Sequence, residues 1–134
     1  MDELDHKLLE LLKQNSRMSN TQIAKKLGIT EGAVRNRIKR LIQTGIIKRF
    51  TVETGQSANI EAIVLMRTQA NQTKRVAHEA KTLSQSVFET SGEYDVAAQI
   101  HAKDVDELNT IVDKLRAIQG VTHTTTLIKL VTDP

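Results

Sequence analysis

Apolar residues recur at helical spacing through the first third of this chain and change rhythm near residue 53. Leu4, Leu8, Leu11 and Leu12 stand at i, i+4, i+7 and i+8, which predicts a helix from Asp2 to Lys13. Asp2 and Glu3 in its first turn and Lys13 near its end complement the helix dipole. Ser19 and Gln22 have capping-box spacing, so a second helix starts there, buries Ile23, Ala24 and Leu27, and stops at Gly28. Thr30 caps a third helix whose stripe is Val34, Ile38 and Leu41, closed by Gly45. Stepping about 100° per residue from that stripe, Gly32, Asn36, Lys39, Arg40 and Gln43 face the other way. Two short helices joined by a tight turn, with cations and amides and no acid on the exposed face of the second, form a helix-turn-helix suited to a groove in double-stranded DNA. Ile46 to Val52 then predicts a strand.

Residues 53–59 (E-T-G-Q-S-A-N) are polar and small and read as a linker between a domain of residues 1–52 and one of residues 60–134. In the second, Ile60 to Arg67 predicts a strand, and Val76, Ala80 and Leu83 mark a helix over Thr73 to Leu83. Val87 to Thr90 and Tyr94 to His101 flank an S-G-E turn and predict a hairpin. Asp104 and Glu107 have capping-box spacing before Val105, Leu108, Ile111, Val112, Leu115 and Ile118. Gly120 closes that helix, and Val121 to Val131 predicts a last strand rich in Thr and aliphatics. The fold class is α+β: a three-helix, winged-helix-like module followed by a βαββαβ ferredoxin-like module, with two helices on one face of a four-stranded sheet. Ile60, Ala62, Val64 and Met66 alternate with Ile63 and Leu65, so both faces of the first strand are apolar. So small a core does not leave such a face wet, and a second copy of the chain is the expected cover.

Charge sharpens this division. Residues 1–50 hold eleven Lys or Arg against five Asp or Glu, and residues 51–134 hold eight against eleven. The halves carry +6 and −3 within the formal net charge of +3, which points to a polyanion as partner of the first module. With no cysteine, disulfides and thiolate metal sites are excluded. His6, His78, His101 and His123 lack metal-ligand spacing, and no nucleophile–base–acid set or phosphate loop is present, so neither an enzyme nor a cofactor is expected. No apolar run reaches the roughly 20 residues of a membrane span, and the expected location is the cytoplasm. Phe50, Phe88 and Tyr94 are the only aromatics, too few for a platform that stacks single-stranded bases.

The chain resembles the feast/famine regulators, the Lrp/AsnC (leucine-responsive and asparagine regulator) family of prokaryotes. Asp2 and Asp5 with L-L-E-L-L match the opening helix, and Arg17-Met18-Ser19 the turn before the second. Val34-x-x-Arg37-Ile38-x-x-Leu41 followed by Gly45-Ile46-Ile47 matches the recognition helix and its exit. Gly92-Glu93-Tyr94-Asp95 matches the family's G-(D/E)-Y-D turn, and Gly120-Val121 with Thr124-Thr125-Thr126 its last strand. Residues 53–59 depart from the D-P-x-x-L-G that the family more often carries there. The resemblance implies a transcription regulator: a DNA-binding first module, and a second that dimerises, assembles dimers into octamers or similar rings, and senses a free amino acid between dimers.

Site residues follow. Asn36, Lys39, Arg40 and Gln43, flanked by Arg35, are the groove contacts, because Arg reads guanine, Asn or Gln reads adenine and Lys takes phosphate. Gly32 and the Thr30 cap let the helix start approach the DNA backbone. Arg37 lies at the edge of the apolar stripe, where it binds phosphate or pairs with Asp2 or Asp5. Ser19, Thr21 and Lys25 clamp a phosphate, although Lys25 and Lys26 also fit a merely solvated face. Asp95 suits an effector's ammonium, and the amides near Gly92 with Tyr94, Thr124 or Thr126 suit its carboxylate. The same residues also fit a tight turn and an ordinary strand. Two other classes use the same parts: a DNA-packing protein of the nucleoid without an effector, and an amino-acid-sensing subunit of an enzyme.

Overall fold

The computed structural model describes residues 1–54 and 59–130, so residues 55–58 of the expected linker and the final residues 131–134 lie outside it. The chain divides into two compact units, Met1–Glu53 and Thr54–Pro134.

The first unit is three helices: α1 (Glu3–Gln14), α2 (Asn20–Leu27) and α3 (Glu31–Gln43). Each begins at an oxygen placed to receive an otherwise unpaired amide. The Asp2 carboxylate accepts from Asp5 N at 2.8 Å, and Asp2 N donates back to Asp5 Oδ2 at 3.2 Å. Ser19 Oγ accepts from Gln22 N at 3.1 Å, and Ser19 N donates to Gln22 Oε1 at 3.0 Å. Thr30 Oγ1 accepts from Ala33 N at 3.1 Å. Gly28, at φ 69°, ends α2 in the left-handed conformation that favours glycine. The stripes meet in a core of Leu8, Leu12, Ile23, Ala24, Val34 and Leu41. The expected strand at Ile46 to Val52 is not a strand. Residues 1–54 hold no second extended segment to pair with it, and Phe50 and Val52 stay exposed.

The second unit follows the expected βαββαβ order: β1 (Ile60–Thr68), α4 (Thr73–Ala80), β2 (Ser86–Glu89), β3 (Val96–Ala102), α5 (Val105–Arg116) and β4 (Val121–Ile128). A 3-10 turn over Lys81–Leu83 finishes α4. The sheet is antiparallel with order β2-β3-β1-β4. At the start of α5 the capping differs slightly from expectation. Asp104 Oδ1 accepts from Glu107 N at 2.8 Å, but the Glu107 carboxylate reaches Lys103 N rather than the Asp104 amide.

Register sorts the two-sided first strand. Ala62, Val64 and Met66 lie opposite Ile100, Ala98 and Val96, and all six are buried with Val76, Ala80, Leu108, Val112 and Leu115 of the helices. The intervening positions point the other way, where no element among the described residues of the unit covers them. Ile63 lies between Gln99 and Leu127, and Leu65 between Ala97 and Thr125. Ile63, Phe88 and Leu127 are 44%, 59% and 52% exposed on that open face.

Candidate functional site

The exposed side of α3 separates into tied and untied side chains. Asn36, Lys39 and Gln43 are exposed and make no side-chain hydrogen bond or ion pair among the described residues. Thr21 and Lys25 of α2 are equally unengaged. The Ser19 and Thr30 hydroxyls accept helix amides, which leaves each O–H free to donate to a phosphate. Gly32 is half-buried with open space where a Cβ would stand. Arg35 is drawn along its own helix to Glu31.

Arg37 and Arg40 turn toward α1 instead. Arg37 Nη1 donates to Asp2 Oδ2 at 2.7 Å and to Asp5 Oδ1 at 2.9 Å. Arg40 Nη2 stands 3.4 Å from both Asp5 oxygens. Asp5 is 2% exposed, the one buried charged residue among the described residues. The Arg37 guanidinium and then the Asp5 amide hold the Asp2 carboxyl down at about 2. Burial pushes Asp5 up, but hydrogen bonds from Arg37 and from the Asp2 amide outweigh it, and the net shift is downward. A carboxyl depressed on folding adds stability above its unfolded pKa and loses it as pH falls through its folded one. The helical unit is therefore expected to weaken from about pH 3.8 down to about pH 2, and Asp2→Asn to show a shallower loss. Helical circular dichroism titrated through that window checks both.

The effector candidates lie around one end of the sheet but not on one side of it. Thr124 and Thr126 pair with Met66 and Val64 and so face the helices, where Arg116 Nε donates to Thr124 Oγ1 at 3.0 Å. Tyr94 crosses the open face, its hydroxyl 2.9 Å from Thr125 Oγ1. Asp95 already has partners: its carboxylate accepts from Thr68 N at 2.8 Å, tying β1 to the start of β3. Gly92 sits in the exposed turn at φ 123°. Sequence reasoning missed Arg67, His123 and Thr125, which join Tyr94 at this corner. Only the pairing of β1 with β4, which puts Arg67 opposite His123, could have found them. Among the described residues no three His, Cys, Asp or Glu converge as a metal site, and no helix is long and apolar enough to cross a membrane.

Residues 1–48 match the model of a winged helix-turn-helix DNA-binding family, and residues 61–132 that of the Lrp/AsnC ligand binding domain. The chain belongs to the Lrp/AsnC family. Among its relatives is the HTH-type transcriptional regulator LysM of Saccharolobus solfataricus, 39% identical over 97% of this chain and 94% of its own. The fold recurs in solved Lrp/AsnC structures. B. subtilis LrpC superposes with a TM-score of 0.78 at 22% identity, covering all of this chain and 97% of its own. A transcriptional regulator of Neisseria meningitidis solved with L-Met gives 0.80 at 20% identity, covering 98% and 90%. As an Lrp/AsnC protein, the chain is a DNA-binding transcriptional regulator with a ligand-binding type of second module.

Proposed function

We propose that Asn36 and Gln43 read base edges while Lys39, Lys25, Thr21 and the Ser19 and Thr30 hydroxyls hold phosphates. The observation that carries this is the division on α3: Asn36, Lys39 and Gln43 are exposed and unengaged, whereas Arg37 is spent on Asp2 and Asp5. A bidentate amide–adenine pair discriminates by about 1–3 kcal/mol, and a lysine on phosphate adds affinity without sequence preference. Arg40, half-exposed and held only at 3.4 Å, is free to exchange Asp5 for DNA. Lys39→Ala is expected to lower the salt dependence of binding by about one unit of slope per contact and leave the preferred sequence unchanged. Asn36→Ala should change which sequences are protected in a footprint. An unchanged slope removes Lys39 from the phosphate set, and an unchanged footprint removes Asn36 from the base readers.

The second module serves assembly and sensing in this reading. Its open face, with Ile63, Phe88 and Leu127 exposed, is covered by the same face of a second copy, since an apolar patch left in water is costly. A free amino acid is the proposed effector, supported by the ligand-binding family match and by the fold shared with a regulator solved with L-Met. It regulates only through differential affinity for two assemblies or poses of the reading heads.

A further inference from the structure

We propose that the segment following α3 is a basic arm that grips the phosphate backbone beside the groove α3 occupies, through Lys48 and Arg49 with Arg17 next to them. The arm adds to the contacts assigned to α2 and α3, and it rests only on DNA binding by the first module.

Its base is fixed. Ile47 N donates to Leu41 O at 3.0 Å, and the Ile47 side chain packs against the core of the helical unit. The chain therefore leaves the C-terminal end of the recognition helix at a set place, with Lys48 soon after the exposed Gln43. From Lys48 to Glu53 it is neither helix nor strand, and it makes no backbone–backbone hydrogen bond among the described residues. Amides left open in this way are donors for phosphate oxygens.

The charges are equally free. Lys48 and Arg49 are exposed and have no acidic partner among the described residues, unlike Arg35, Arg37 and Arg40 of α3. With the end of α1 the arm lines an open groove of the helical unit, where Lys13, Arg17, Lys48 and Arg49 stand against Glu53 as the one acid. Lys13 is tied to Glu10 at 3.2 Å, but the Arg17 side chain is unengaged as well. Arg17 also lies just before Ser19, so these cations adjoin the hydroxyl donor at the start of α2. Unpaired cations gathered along one groove suit a polyanion. The same segment of a second copy is the rival occupant, because Phe50 and Val52 are 52% and 76% exposed. It would bring another Lys48 and Arg49 with a single Glu53, adding positive charge to a groove that is already positive.

The test is the salt dependence of binding by the full chain to a mixed-sequence duplex of about four helical turns, over roughly 50 to 200 mM salt. Lys48→Gln with Arg49→Gln is expected to make the slope shallower by about two units per arm, and Arg17→Gln by about one. Lys81→Gln with Lys114→Gln is the control: it removes the same charge from two exposed, unpaired lysines of the second module and should leave the slope as in wild type. Sedimentation of each variant without DNA follows assembly. A shallower slope in the arm variant, with assembly unchanged, supports the arm. A slope that moves no more than in the control overturns it. So does a change of assembly in the arm variant, which would give the segment to a second copy. Lys39→Ala in the same titration keeps the failures apart: if it alone flattens the slope, the α3 contacts stand while the arm falls.

Discussion

Replacing Arg37 by Ala is expected to cost the helical unit about 3 kcal/mol, because it strips the principal partner from a carboxylate buried among the helices. Asp5 is 2% exposed and would keep only the Asp2 amide and a distant Arg40. Its carboxyl would then rise, so Asp5 would contribute less stability above the ordinary carboxylate range and the acid-dependent loss would be shallower than in wild type. The companion change is Asp5→Leu with Arg37→Leu, which removes both charges and should recover most of the loss, as apolar replacements of buried pairs do. Hydrogen exchange of the α1 and α3 amides in the full chain reads both outcomes. Unchanged protection in Arg37→Ala would show that the pair does not hold α1 to α3. Recovery in the double variant would separate a structural arginine from one that grips phosphate.

The second large effect separates neighbours on β1. Val64→Glu places a carboxylate between sheet and helices and is expected to unfold the second unit, since Val64 is 0% exposed within the apolar core. Ile63→Glu, one position earlier, points to the open face and should leave the unit folded. Burying that charge in the proposed interface would weaken the dimer by about two orders of magnitude. Sedimentation and circular dichroism on the same samples tell the cases apart. A dimer untouched by Ile63→Glu would move the interface elsewhere; a monomeric wild type would remove it.

Much of this was legible in the residues. Capping residues and stripes at i, i+3 and i+4 located the starts of α1, α2, α3 and α5 to within a residue, because helix starts are local chemistry, while α5 stops at Arg116, short of the expected Gly120. The two-sided character of β1 was visible too, but which side met the helices was not. That depends on pairing with β3 and β4, residues thirty or more positions away. The same limit explains the effector corner. Thr124, Thr125 and Thr126 look alike as a run, and only strand register separates the one that reaches Tyr94 from the two that face the helices. Ile46 to Val52 shows the converse. Its pattern is that of a strand, but pattern supplies no partner, and within residues 1–54 there is none.

The tie between α3 and α1 also bears on how the protein finds its site. Arg35, Arg37 and Arg40 each face a carboxylate, Arg37 closely and the exposed Arg35 and Arg40 loosely, so part of the positive charge on α3 is offset before DNA arrives. The held Arg37 then displaces no counterion on a random stretch of duplex, which lowers non-specific affinity. The long-range pull also comes from lysines without acidic partners among the described residues, Lys25, Lys26 and Lys39. In the proposed reading, a regulator built this way samples random duplex briefly and dwells where Asn36 and Gln43 meet their bases.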